Sequence, residues 1–198
     1  MQKENFSVQI AASLTVETYA ALEACAGGLA TAPQDIEGEP CGAPTPEAPR
    51  RSQMVDVSGK ATTRRTARAA CVVEVGEEVA RAIADGRVAK GDVFTVSEVA
   101  GIMAAKRTPD ILPLCHPLPL RRAVVECRLD ASAGRVEVVA DVSCDGPTGV
   151  EMESLTAAAA AALCIYDMCK PISKGIVISD LRLLSKSGGK SGDYERTE

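Results

Sequence analysis

Asp167 and Lys170 sit three residues apart at the end of the apolar run GVEMESLTAAAAAALCIYDMCK (149–170). At about 100° per residue they lie some 60° apart in azimuth, and so share one helix face. A pair of this kind serves as a surface ion pair whose cation meets the helix dipole. The alternative reading is that, beside Tyr166 and Met168 and partly desolvated, it is a proton-transfer pair. Glu151, Met152 and Glu153 stand at the start of the same run. Acids in a first turn stabilise the dipole, and two carboxylates also suit the N–H donors along a purine or pterin edge. Glu153 and Asp167 are 14 residues apart, about 21 Å along a continuous helix. Either one cluster is structural or the pocket is built between subunits, and we prefer the second.

Leu114, Cys115 and His116 lie in PDILPLCHPLP (109–119), where four prolines are expected to exclude any regular element. The lone histidine of the chain either has no task there or is held in one conformation to meet an anion. A scattered cationic set, Arg64, Arg65, Arg68, Lys90, Lys106, Arg107, Lys186 and Lys190, contains mostly solvated charges together with candidates for phosphate contacts. The GGKS at 188–191 is not a Walker loop, because Leu184 stands where the first glycine is required and too little chain follows for a helix. Its backbone still suits a flap over phosphates.

The elements that must position these groups alternate in period. AACVVEV (69–75) reads as a strand, GEEVARAIADG (76–86) as a helix stopped by Gly86, and TVSEVAGIMAAK (95–106) as a helix with Thr95 and Glu98 in capping-box register. AVVECRL (123–129) and RVEVVADVS (135–143) alternate around Gly134 as a hairpin, and 149–170 is a long helix with Thr148 and Glu151 in capping-box register. GIVISDLRLL (175–184) is a strand, followed by a Gly/Ser tail. The order is β-α-β-β-α-β. It predicts an α+β, ferredoxin-like fold with an antiparallel sheet and helices on one face. Alanines 157–162 make the long helix apolar nearly all round. One sheet face covers one side only, so self-association is expected.

Composition sets the outer limits. The chain has 198 residues and a formal net charge of −5, with no Trp, three Tyr and two Phe. It lacks the cationic surplus of a bulk-charge nucleic-acid binder and the aromatics of a base-stacking platform. No stretch approaches the roughly 20 uncharged apolar residues of a membrane span. Eight cysteines with no C-x-x-C pair and a single His argue against a zinc site. Cys within apolar runs behaves as a small buried hydrophobe, in a reducing compartment. Glu17 and Glu23 spoil a signal-peptide reading, and cytoplasmic localisation is expected. Residues 1–53 carry 3 basic and 7 acidic groups and include a Pro/Gly-rich stretch at 31–51, which reads as an arm or linker behind a short amphipathic helix at 8–27. The folded unit is expected over 54–198. A chain of that length buries about 70% of its surface.

KGDVF (90–94), AGIMAAKRTPDILPLCHPLPL (100–120), TGVEMESLTAA (148–158), IYDMCK (165–170) and LLSKSGGKSGDY (183–194) together resemble cyclic pyranopterin monophosphate synthase, the molybdenum cofactor biosynthesis protein C family. The resemblance runs in order from about Met54 to Tyr194. It implies a lyase that converts 3′,8-cyclo-7,8-dihydro-GTP to cyclic pyranopterin monophosphate with release of pyrophosphate. It implies a ferredoxin-like hexamer, a trimer of dimers, with sites at the dimer interface. It implies that Asp167 is the active-site acid, with Lys170 and Lys90 as proton-transfer partners. Leu114, Cys115, His116, Glu151, Met152 and Glu153 become substrate-binding residues. Arg65 and Lys106 hold the triphosphate, with Lys186 a lesser candidate. No cofactor is required on this reading, no dedicated carboxylate cage is visible, and Mg²⁺ accompanying the substrate phosphates is compatible with it. The partner is a small nucleotide-derived substrate, with neither nucleic acid nor membrane. Two other classes remain open at this level: a purine-nucleotide regulator without turnover, and a structural oligomer.

Overall fold

Period-two alternation puts one face of β1 (Thr63–Glu74) toward the interior, where Arg65, Ala67, Ala69, Cys71 and Val73 are all buried. In this computed structural model, which describes residues 52–197, β1 is the middle strand of a fully antiparallel five-stranded sheet. β3 (Arg135–Gly146) pairs with β1 along its whole length, from Thr63↔Gly146 to Glu74↔Arg135. Outside β3 lies β2 (Leu120–Asp130), joined to it by the Gly134 turn. On the other side of β1 come β4 (Val177–Ser187) and the short β5 (Tyr194–Glu195). The order β2-β3-β1-β4 is the ferredoxin-like arrangement, extended by β5 at one edge.

Among the described residues four helices complete it: α1 (Gly76–Ala84), α2 (Val93–Ala105), the one-turn α3 (Thr108–Ile111) and α4 (Glu151–Cys169). By length and composition α4 is apolar enough to cross a membrane, yet half of it is buried inside the protein. Ala157, Ala158, Ala161, Ala162 and Ile165 are fully covered by the sheet and by α2. That contact is close because α2 presents Ser97, Gly101 and Ala105 to it. A Cβ at Gly101 would stand 2.8 Å from the Ala157 carbonyl oxygen and 3.0 Å from Val125 Cγ2. The crossing therefore has no room for a methyl group. The six cysteines in the described region are free. Burial pushes the Cys71 thiol up to about 11 and that of Cys127 to about 12, as expected of structural thiols.

Several local expectations need correction. α2 starts two residues early because Asp92, not Thr95, is its cap: the Asp92 carboxylate accepts from the Phe94 and Thr95 amides at 3.0 and 3.1 Å. Glu98 turns instead to the sheet and accepts from the Cys127 amide at 3.0 Å. α4 has no side-chain cap, and its first position follows Val150. The proline-rich loop does contain a regular turn, α3, because Pro109 falls in the first turn, where its missing N–H is not needed. The tail is partly structured, since β4 runs on to Ser187 and β5 returns beside it. The readings for 8–27 and 31–51, with Cys25 and Cys41, lie outside the described residues.

Gly101→Ala gains helix propensity but forces a methyl into backbone, so we expect a net loss of about 1–3 kcal/mol in unfolding free energy by urea titration. Stability equal to or above that of the parent chain would contradict the close crossing.

Candidate active site

The C-terminal end of α4 carries the first cluster. Asp167 lies in its last turn, Lys170 is its C-cap, and Lys90 sits in the turn before α2, with Gly91 at φ 104°. Lys170 Nζ donates to Asp167 Oδ1 at 2.7 Å; Lys90 Nζ donates to Oδ2 at 2.5 Å and to the Asp167 carbonyl at 3.0 Å. Each carboxylate oxygen thus takes one ammonium. Hydrogen bonds from Lys170 and then Lys90 hold the Asp167 carboxyl down at about 2, and Asp167 in turn raises Lys170. The three side chains are about half exposed, so solvent screens the attraction. The expectation of a desolvated lysine is not met, because the adjacent carboxylate favours the ammonium more than burial opposes it. At neutral pH Asp167 is a weak base here, and the cluster presents protons on its lysines.

The N-terminal end of α4 carries the second. Glu151 and Glu153 are two residues apart, about 200° around the helix, and they face different surroundings. Glu153 is 2% exposed, with Cys115 Sγ donating to Oε1 at 3.6 Å and no hydrogen-bond partner for Oε2 among the described residues. Burial raises its pKa, and burial followed by the Glu153 charge raises that of the Cys115 thiol. A thiol shifted upward is a poor nucleophile. Glu151 turns outward to Lys186, whose Nζ lies 3.4 Å from its Oε1. The two acids therefore do not share one substrate edge from one helix face, as their spacing suggested. Met152 and Leu114 are exposed. His116 is half-buried and its Nε2 lies 2.8 Å from the Val55 carbonyl oxygen.

Beside this end opens a cavity of about 870 Å³, lined by Lys60, Arg65, Lys186 and Lys190 against the one carboxylate of Glu151. Arg65, 7% exposed, donates from Nε to the Gly146 carbonyl at 3.2 Å and from Nη2 to the Pro147 carbonyl at 3.3 Å, which ties β1 to the loop that starts α4. The glycine turn forms the far wall. A Cβ at Gly188, whose φ is +87°, would stand 1.8 Å from the Arg64 carbonyl oxygen, so this wall lies directly on β1. Lys186 Nζ donates to Ser191 Oγ at 2.9 Å. Four cations around one concave space suit a polyanion. Lys106, exposed at the C-cap of α2, is on the same end, because α2 runs antiparallel to α4. Among the described residues no group of three or more His, Cys, Asp or Glu side chains is arranged for a metal ion.

The structure thus joins Lys90, Asp167 and Lys170 at one end of α4, and gathers Arg65, Glu151 and Lys186 at the other, near the Cys115–Glu153 contact. It does not bring the two ends together within one chain. Sequence reasoning missed Lys60, which reaches the cavity only because the segment before β1 passes beside the glycine turn.

The MoaC family model matches residues 54–189. Cyclic pyranopterin monophosphate synthase of Geotalea uraniireducens (strain Rf4) is 53% identical over 145 residues, covering 73% of this chain and 91% of that protein. The protein of the same name from Pelobacter propionicus (strain DSM 2379 / NBRC 103807 / OttBd1) is 54% identical over 145 residues, with the same two shares, 73% and 91%. Molybdenum cofactor biosynthesis protein 1 of Drosophila melanogaster is 53% identical over 148 residues, which is 75% of this chain but only 26% of that protein.

Two titrations check this geometry. The Asp167 carboxyl, followed by carbon NMR, should titrate near 2 and move up toward 3.8 in Lys170→Ala; an ordinary value in the parent chain would refute the cluster. For Glu153 the shift is upward, so the folded state binds a proton more readily than the unfolded state. Stability attached to it is then complete below 4.5 and falls as pH rises through the raised value. Glu153→Gln should therefore raise the melting temperature at neutral pH, with the gain vanishing below pH 4.5, and a gain that persists in acid would count against this account.

Proposed function

This chain belongs to the MoaC family, and on that premise we propose that it is a lyase converting 3′,8-cyclo-7,8-dihydro-GTP to cyclic pyranopterin monophosphate with release of pyrophosphate, a step of molybdenum cofactor biosynthesis. The observation that carries this reading is the cluster at the end of α4, where Asp167 holds two ammonium groups side by side.

Opening a purine five-membered ring and closing a pterin and a pyran requires several proton transfers. A positioned acid or base contributes roughly 10²–10⁴ to each. Lys90 and Lys170 are the donors, and Asp167 aims both through its two carboxylate oxygens. The Cys115 thiol, held protonated by burial and by Glu153, binds rather than attacks. When the cyclic phosphate closes, negative charge builds on departing pyrophosphate. Lys60, Arg65, Lys186 and Lys190 line a cavity suited to it, with Lys106 a further cation at the same end. A bound triphosphate competes with Glu151 for Lys186. Leu114, His116, Met152 and Glu153 lie at this end and complete the binding set. Mg²⁺ travels with the substrate phosphates and needs no protein cage of its own.

The active site lies between two subunits of a hexamer built as a trimer of dimers, in the cytoplasm. Two observations support the shared site. The clusters stand about 21 Å apart on one rigid helix. Val96, Val99 and Met103 on α2, with Leu163 on α4, leave large apolar side chains exposed.

Asp167→Ala, Lys170→Ala and Lys90→Ala should each fold and assemble yet lose about 10²-fold or more in pyrophosphate release from the cyclised GTP. Binding without pyrophosphate release by the parent chain would instead favour a nucleotide-binding regulator. Mixing Asp167→Ala with His116→Ala protomers should restore about a quarter of full activity, because half of the random dimers are mixed and each holds one intact site of two. No recovery would place each site within a single chain.

A further inference from the structure

The single histidine of the chain is held by a group that neither reaction chemistry nor composition points to. His116 Nε2 lies 2.8 Å from the backbone oxygen of Val55, 61 positions away in sequence. A peptide carbonyl only accepts, so Nε2 carries the hydrogen of this bond. The neutral ring is then the Nε2–H tautomer, and Nδ1 keeps its lone pair. Nδ1 makes no hydrogen bond among the described residues. The ring cannot easily escape this choice. Pro117 restricts the His116 backbone, and Pro113 and Pro119 stiffen the rest of the loop.

Val55 is itself placed by a local turn. The Asp56 carboxylate accepts from the Ser58 amide at 2.9 Å and from the Ser58 hydroxyl at 2.7 Å, and the Lys60 amide closes on the Val57 carbonyl at 3.0 Å. The same few residues therefore present a carbonyl to His116 on one side and Lys60 to the cationic cavity on the other.

We infer that the segment Met54–Lys60 is a positioning strap of the substrate site: the Val55 carbonyl fixes His116 as the Nε2–H tautomer, so that Nδ1 is the ring atom offered to an N–H or O–H donor of the substrate. This rests on the reading of His116 as a substrate-binding residue. Val55 acts through His116 and touches no reacting atom. The strap also ties the ring to the polyanion pocket, because one turn sets both contacts.

A lone imidazole makes the test direct. The full chain, labelled with nitrogen-15 at histidine, is examined by long-range proton–nitrogen correlation at a pH where the ring nitrogen shifts no longer change with pH. One ring pattern is expected, with Nε2 protonated and Nδ1 bare. An Nδ1–H tautomer, or an average of both, overturns the inference. In Asp56→Ala/Ser58→Ala the turn loosens, and the pattern should move toward a mixture, while KM rises about five-fold, the worth of one neutral hydrogen bond, and by more than kcat falls. An unchanged tautomer and an unchanged KM in that variant overturn the strap. The two readings fail separately. An Nδ1–H ring in a chain that releases pyrophosphate removes the strap alone, whereas an Nε2–H ring in a chain with no turnover removes the reaction alone.

Discussion

α4 packs closely on the sheet because the middle of its inner face is alanine, at 157, 158, 161 and 162, and because α2 offers it a glycine where the two helices cross. Small side chains give up buried apolar area per residue, and close approach compensates with dense dispersion contacts. The result is a well-held continuous helix that sets the separation of its two ends. Every polar group assigned to chemistry lies at one end or the other: Asp167 and Lys170 at its exit, Glu151 and Glu153 at its entry. A helix with bulky, adaptable side chains could fill the same space, but with less definite spacing between the ends.

The two ends are electrostatically unlike. At the exit a carboxylate is stripped of basicity by two cations in partial contact with water. At the entry a carboxylate is starved of partners and inclined to keep its proton. Two acids on one helix are thus pushed in opposite directions by their surroundings, the pattern by which one scaffold separates acid and base tasks. Beside the entry, Arg65 gives its hydrogen bonds to backbone carbonyls and contributes its charge to the cavity. One side chain thereby braces the loop before α4 and tunes the pocket.

Much of this was written in local signals. The alternation in 135–143 and the helical run at 149–170 are strong periodic patterns, and strand order followed from the sequence of elements. The proximity of Asp167 and Lys170 was a matter of helix pitch. What local reading lacked was partnership over distance. Glu98 looks like a capping residue until the sheet offers it the Cys127 amide, whose pull exceeds that of a local turn. Glu151 and Glu153 look alike until the fold places one at Lys186 and the other under Cys115. Lys60 and Val55 carry no motif signal at all, because their positions come from a segment that gains its place from contacts made far along the chain. Pro109 departs from its local signal for a different reason: the same residue that breaks a helix interior starts one well.

β5 is only two residues long, yet its pairings are Ser185↔Glu195 and Lys186↔Tyr194. Those rungs clasp the strand on which Lys186 stands, and they turn the glycine segment between them into a closed hairpin. Closing a short loop in advance removes most of the ordering entropy that a dangling terminus would surrender on meeting an anion. The glycine wall of the cavity is thus a buckle already closed, fastened by the two rungs that flank it.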